Sequence, residues 1–81
     1  MISDTLEISG DILFDTPKIT MIGDAKVHVE NYTHLVEYKK EDIKLKWKGG
    51  VIEICGENFE IKAIDEGNII IFGKISQVKL I

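Results

Sequence analysis

Ile43-Lys44-Leu45-Lys46-Trp47-Lys48-Gly49-Gly50-Val51-Ile52-Glu53-Ile54-Cys55 is the stretch that decides the fold. Apolar and basic residues alternate from Ile43 to Lys48, and Ile52 and Ile54 flank Glu53 a few residues later. Successive side chains of a strand point to opposite faces, so a period of two marks a strand with one buried and one wet face. Ile43, Leu45 and Trp47 therefore share one face, and Lys44, Lys46 and Lys48 the other. The Gly49-Gly50 pair between the two runs supplies the positive φ angles that a tight hairpin needs. Two antiparallel strands joined by a short turn are the expected unit.

Working outward, the same period recurs. Ile19 and Met21 flank Thr20, Val27 and Val29 flank His28, Phe59 and Ile61 flank Glu60, and Val78 and Leu80 flank Lys79. Isoleucine and valine dominate these positions, where β-branched side chains suit a pleated surface. Punctuation by Gly10-Asp11, Gly23-Asp24, Asn31 to His34, Lys39 to Asp42, Gly56-Glu57-Asn58, Glu66-Gly67-Asn68 and Gly73-Lys74 bounds the runs. The predicted strands are Thr5 to Ser9, Ile12 to Phe14, Lys18 to Ile22, Lys26 to Glu30, Leu35 to Lys39, Ile43 to Lys48, Val51 to Cys55, Phe59 to Ile64, Ile69 to Phe72 and Ser76 to Leu80. Pro17, which lacks a donor, belongs at a strand start or a sheet edge. No window has the period of an amphipathic helix, so no helix longer than about two turns is expected.

The fold class is thus all-β. One small domain spans 1–81, built of short strands in an antiparallel meander that curls into a sandwich or open barrel. Recurring glycine endings (Ile22-Gly23, Cys55-Gly56, Phe72-Gly73) keep a β-solenoid-like stack as the alternative. The core expected from alternation is Ile19, Met21, Val27, Val29, Leu45, Trp47, Ile52, Ile54, Phe59, Ile61, Ile69 and Ile71.

Composition excludes several functions. The net charge is −4 and every cation is a lysine, which argues against nucleic acid and leaves no guanidinium for bidentate phosphate or guanine recognition. Lys44, Lys46 and Lys48 read first as a solvated strand face, and second as a patch for acidic lipid headgroups or an acidic partner. No run approaches the ~18 apolar residues of a membrane span. The start of the chain lacks the basic and apolar regions of a secretory signal. Cys55 is the single cysteine, which excludes an internal disulfide and fits a reducing cytoplasm.

Pro17-Lys18-Ile19-Thr20-Met21-Ile22-Gly23, followed by a strand ending in Glu30-Asn31, resembles the opening motif of the YabP/YqfC family of sporulation proteins from endospore-forming bacteria, closest to its YqfC-like members. Pro17, Ile19, Thr20, Met21, Gly23, Glu30 and Asn31 carry that motif. Leu35-Val36-Glu37-Tyr38, Ile43-Lys44-Leu45, Gly50-Val51-Ile52-Glu53-Ile54-Cys55-Gly56, Phe59-Glu60-Ile61-Lys62 and Ile69-Ile70-Ile71-Phe72-Gly73 resemble the later family strands, so the likeness covers about 15–78. Tyr32-Thr33 before His34 and the doubled glycine at Gly49-Gly50 depart from the pattern. The resemblance implies a non-enzymatic sporulation protein in the mother cell, on the cytoplasmic side of the forespore, acting as an interaction or assembly module. It implies a protein partner, a membrane-associated sporulation protein among the candidates, or self-association. A self-assembling structural β protein is the alternative, and a small enzyme has less support.

The residues offer no cofactor site, no catalytic group and no metal site by motif. His28 and His34 lack a third ligand at standard spacing. The Ser residues have no nucleophile elbow around them. Cys55 sits between Ile54 and Gly56 without the cations that would activate a thiolate. Trp47, Ile70 and Phe72 are the candidate partner-binding residues. Tryptophan is enriched at interface hot spots, although core packing is its ordinary role. The run Ile69 to Phe72 is apolar on both faces, so it is either central and buried or paired with another chain. The Val78-Lys79-Leu80-Ile81 stretch could take an added strand by β-augmentation.

Overall fold

The computed structural model describes residues 15–81. The strands expected over Thr5 to Ser9 and Ile12 to Phe14 lie outside the described residues. Six strands follow: β1 (Lys18–Ile22), β2 (Lys26–Glu30), β3 (His34–Lys39), β4 (Asp42–Trp47), β5 (Gly50–Asp65) and β6 (Asn68–Leu80). They form one antiparallel sheet in the order β1-β2-β6-β5-β4-β3. The all-β expectation holds, and the antiparallel pairing of consecutive strands rules out the solenoid stack. The meander is interrupted at one point, where β2 pairs with β6 rather than with β3.

The largest departure from the sequence reading lies in β5 and β6. Gly56-Glu57-Asn58 and Gly73-Lys74 have the composition of turns, yet neither reverses the chain. Each sits inside a continuous strand, of 16 residues in β5 and 13 in β6. The pairing of β5 with β6 slips at Cys55/Gly56 and again between Glu57 and Glu60, and Asn58 adopts a left-handed φ of 57°. Turn-like residues here make bulges, which bend a strand without ending it. The bend is clipped from the side by the β3–β4 turn: Gly56 N–H donates to the Glu41 carbonyl at 3.0 Å and Phe59 N–H to the Lys40 carbonyl at 2.8 Å. Phe59 is fully buried inside the bend. Its ring lies where a side chain on Gly73 would fall, 2.6 Å from the Cβ position, and Gly73 holds a φ of 151°.

The bends divide the sheet into two parts that share the long strands. One part joins β1 and β2 to Asn68–Phe72 of β6 and Glu60–Asp65 of β5. The other joins β3 and β4 to Gly50–Cys55 of β5 and Gln77–Leu80 of β6. Val27 and Val29 of the first part and Ile43, Leu45, Ile52 and Ile54 of the second fall in a single buried cluster with Phe59, Ile69 and Ile71. Both parts therefore turn the same face of the sheet toward one core.

Alternation set the facing of these residues correctly but not their depth. Ile19, Trp47 and Ile61, expected in the core, pack against it half-buried. Met21 shares the face of Val27 but is 43% exposed. It lies on β1, the outermost strand, and among the described residues no strand pairs with its far side. Tyr32 and Ile75 are buried and were not expected to be. Tyr32 follows Asn31, whose φ of 68° turns the chain from β2 toward β3. The Tyr32 hydroxyl lies 3.4 Å from the Asp65 carbonyl and 3.3 Å from that of Asn68. Asn31 N–H donates to the Gly67 carbonyl at 2.6 Å. The Glu30-Asn31 end of the motif is thus a joint that ties the β2–β3 connection to the β5–β6 hairpin.

Candidate interaction surface

The two outward faces of the sheet differ in chemistry, and the cross-strand register explains why. On the β3–β4 part, Glu37 pairs with Lys44, Lys44 with Glu53, and Glu53 with Lys79. This makes a row of alternating charge across four strands. The Lys44 ammonium lies 2.8 Å from Asp42, 3.2 Å from Glu37 and 3.3 Å from Glu53, and Lys39 reaches Glu37 at 3.0 Å. The lysine face expected from Lys44, Lys46 and Lys48 is therefore not a free basic patch. Lys44 is neutralised by Asp42 of its own strand and by Glu37 and Glu53 from the strands on either side. Lys48 reaches Asp15 at 3.3 Å, and Lys46 donates to the Trp47 carbonyl.

The same cluster shapes the titration of its members. Hydrogen bonds from Lys39 and Lys44 hold the Glu37 carboxyl below its ordinary 4.5, and Lys44 holds Asp42 below 3.8. Folded values below unfolded ones mean stability present above the unfolded pKa and lost as pH falls through the folded one. Urea midpoints should accordingly hold between pH 5 and 7 and decline as pH drops below about 4. Lys44→Met should flatten that acid limb, and an acid limb unchanged in the variant would contradict the assignment.

Asp42, Glu53 and Cys55 bring ligand-type atoms within 4.8 Å of one another. The cation already among them is the Lys44 ammonium, and the Cys55 thiol is pushed up by burial and then by the Glu53 and Asp42 charges. A thiol so placed is a poor nucleophile. His28 and His34 stand on β2 and β3, which are not neighbours in the sheet.

The outward face of the β1–β2 part is different. Reading across the strands, one row is Ile22, Lys26, Phe72 and Glu60; the next is Thr20, His28, Ile70 and Ala63; a third is Lys18, Glu30, Asn68 and Asp65. Ile70 and Ala63 stand in the middle row and Ile22 and Phe72 in the first, with the charged Lys18, Lys26, Glu30, Glu60 and Asp65 around them. Ile70 is half-buried between His28 and Ala63, while Ile22 and Phe72 are exposed, Phe72 at 42%. His28, Ala63, Ile64, Asp65, Asn68 and Ile70 line a shallow depression of about 230 Å³. The His28 ring is steadied there by Asn68 Oδ1 at 3.3 Å. Lys26 and Lys62 stand over the Phe72 ring at 5.9 and 5.8 Å from its centre, within cation–π range. An apolar centre with a charged rim is the anatomy of a protein-binding patch.

Of the candidate partner-binding residues, Ile70 and Phe72 fall on this face together, and Trp47 does not. Trp47 packs against the core at the end of β4, its ring closely covering Gly49. The expectation that Ile69 to Phe72 would be either central and buried or an edge divides: the segment is central, between β2 and β5, but only Ile69 and Ile71 are buried. Ile22, His28 and Ala63 are not among the partner-binding residues expected from the sequence. They reach the face only through the long-range pairing of β2 with β6 and of β6 with β5. Thr20, from the motif, lies on the same face, whereas Ile19 and Met21 face the core side.

No helix among the described residues is long and apolar enough to cross a membrane. Comparison with known proteins places the whole sheet within one family. The chain is 37% identical over 76 residues to the uncharacterized protein YqfC of Bacillus subtilis (strain 168), an alignment covering 94% of this chain and 82% of that protein. The family match takes in residues 15–81, from just before the Pro17 motif through β6. With both the opening motif and every strand of the described residues inside the matched region, the chain belongs to the YabP family.

Proposed function

We propose that this chain is a sporulation protein that works by binding rather than by catalysis, as an interaction module on the mother-cell side of the forespore. Family membership supports the coarse part of this reading, a sporulation-related role. The face centred on Ile70 supports the finer part. It offers apolar surface inside a charged rim on a rigid sheet, which is what a protein partner needs. The partner is a protein, and a membrane-associated sporulation protein fits the compartment.

Deleting the gene in a sporulating bacterium that carries it tests the biological half of the proposal. Heat-resistant spores should fall well below the parent count and recover when the gene is restored. A normal spore count in a strain lacking any second family member would contradict it.

A further inference from the structure

The carboxylates on the outward faces of the sheet are not all answered. Glu37, Asp42, Glu53 and Glu60 each meet a lysine ammonium at 2.8 to 3.4 Å. Among the described residues Asp65 has no ion pair, and Glu30 has only the His28 ring at 3.9 Å. Lys18 is the cross-strand neighbour of Glu30, yet the two form no ion pair. Both carboxylates stand in one row, on either side of Asn68, which pairs with Glu30 across β2 and β6 and with Asp65 across β6 and β5. The Asn68 side-chain oxygen meets the His28 ring at 3.3 Å. An amide oxygen accepts two hydrogen bonds, so one place on it is left.

The depression lies beside this row. Ile70 and Ala63 form its apolar side, and Asp65, Asn68 and His28 its polar end. Ala63 contributes a single methyl group among longer side chains, which leaves the hollow open next to Ile70. Toward the other margin, Lys26 and Lys62 stand over Phe72, and Glu60 is matched by Lys62. The face is thus polarised along its strands, acidic on the Asp65 side of Ile70 and basic on the Phe72 side.

We infer that the depression receives an arginine side chain of the partner, its stem along Ile70 and Ala63 and its guanidinium held among Asp65, Asn68 and Glu30. This arginine pocket presupposes that the face around Ile70 is the docking surface, and it names the chemistry which that surface reads. The acceptors are spread along a row rather than gathered about a point. A planar guanidinium with five donors spans such a row, whereas an ammonium is a compact and strongly hydrated charge. Its hydrogen bonds to carboxylates are charge-assisted, and its methylene stem suits the apolar side. The chain contains no arginine, so the guanidinium comes from a different protein and not from a second copy. An acidic or wholly apolar partner would cover Asp65 and Glu30 without a counter-charge, which selects against it.

The probe is N-acetyl-argininamide, with N-acetyl-citrullinamide as its neutral isostere, added at constant ionic strength to the isotope-labelled full chain. The backbone amide signals of Ala63, Asp65, Asn68 and Ile70 should shift saturably over about 1 to 50 mM of the arginine compound and stay in place with the citrulline compound. Asp65 is exposed and Glu30 half-buried, so Glu30→Gln combined with Asp65→Asn should keep the circular dichroism of the folded sheet. The double variant should bind the arginine compound about 5- to 10-fold more weakly. The absence of saturable shifts at these residues would overturn the arginine pocket, as would an equal response to the citrulline compound or unchanged affinity in the folded double variant. If the double variant does not fold, the contrast between the two compounds decides alone. Capture from sporulating cells separates this pocket from the face it belongs to. The partner should be lost by Ile70→Lys and by the double variant alike. Loss by Ile70→Lys alone would overturn the pocket and leave the face standing, and retention by both would overturn the face itself.

Discussion

Gly56→Ala should abolish the fold or bring it close to collapse, although it adds a single methyl group to a partly exposed position. The built Cβ at Gly56 would overlap the carbonyl oxygen of Lys74 and lie 2.7 Å from the Phe59 ring. The carbonyl belongs to the neighbouring strand and cannot rotate away. The ring is fully enclosed, and its backbone is tied to Lys40, so it cannot move outward either. Relief would require β5 and β6 to separate at the bend that lets both parts of the sheet share one core. A cost of about 3 kcal/mol or more is expected. Total stability for a domain of this length is roughly 4–12 kcal/mol. Urea unfolding followed by tryptophan fluorescence should show a midpoint far below the parent or no cooperative transition. Glu60→Ala, an exposed change on the same strand, should stay within about 0.5 kcal/mol. A Gly56→Ala protein as stable as the Glu60→Ala control would mean that the two long strands do not approach as closely at the bend as described.

Ile70→Lys should act in the opposite way, leaving the fold intact and removing the partner. Ile70 is half-buried on the outward face, with His28 and Ala63 as its cross-strand neighbours and the Asp65 and Glu30 carboxylates in the adjoining row. A lysine there can run its methylene stem along the depression and keep its ammonium in water, so the free chain tolerates it. Once a partner covers the face, the same ammonium is stripped of water at the centre of the contact, where removing or spoiling an anchor costs about 2 kcal/mol or more. That corresponds to roughly a 30-fold loss of affinity. Phe72 is a weaker place to test, because Lys26 and Lys62 already occupy its ring and would reorganise around a substitution.

Much of this architecture is legible in the sequence because β1 to β4 are built from local signals. Period-two alternation gives the facing of Val27, Val29, Ile43 and Leu45, and the Gly49-Gly50 turn gives the hairpin that joins β4 to β5. What escapes is whatever depends on pairing between distant segments. Gly56-Glu57-Asn58 has the same composition whether the chain reverses or bulges. The choice is made by the β3–β4 turn, which bonds to it from the side. Met21 has the alternation of a core residue, but its depth depends on whether another strand lies beyond β1. Tyr32 sits in a connection with no periodicity, so nothing local marks it as buried. The same limit applies to the interaction surface. Ile70 and Phe72 stand out as apolar residues on the second face of a strand. Ile22, His28 and Ala63 join them only because β1, β2, β6 and β5 are successive neighbours. Lys44 shows the converse: three lysines on one face look like a basic patch until Glu37, Asp42 and Glu53 arrive from three strands.

We propose that the face around Ile70 binds the partner in sporulating cells. It is tested most directly by capturing the tagged chain from such cells and comparing the proteins retained by the parent and by Ile70→Lys, with circular dichroism confirming that the variant is folded. The parent should retain a protein that the folded variant loses. Retention of the same proteins, in the same amounts, by both would contradict the account.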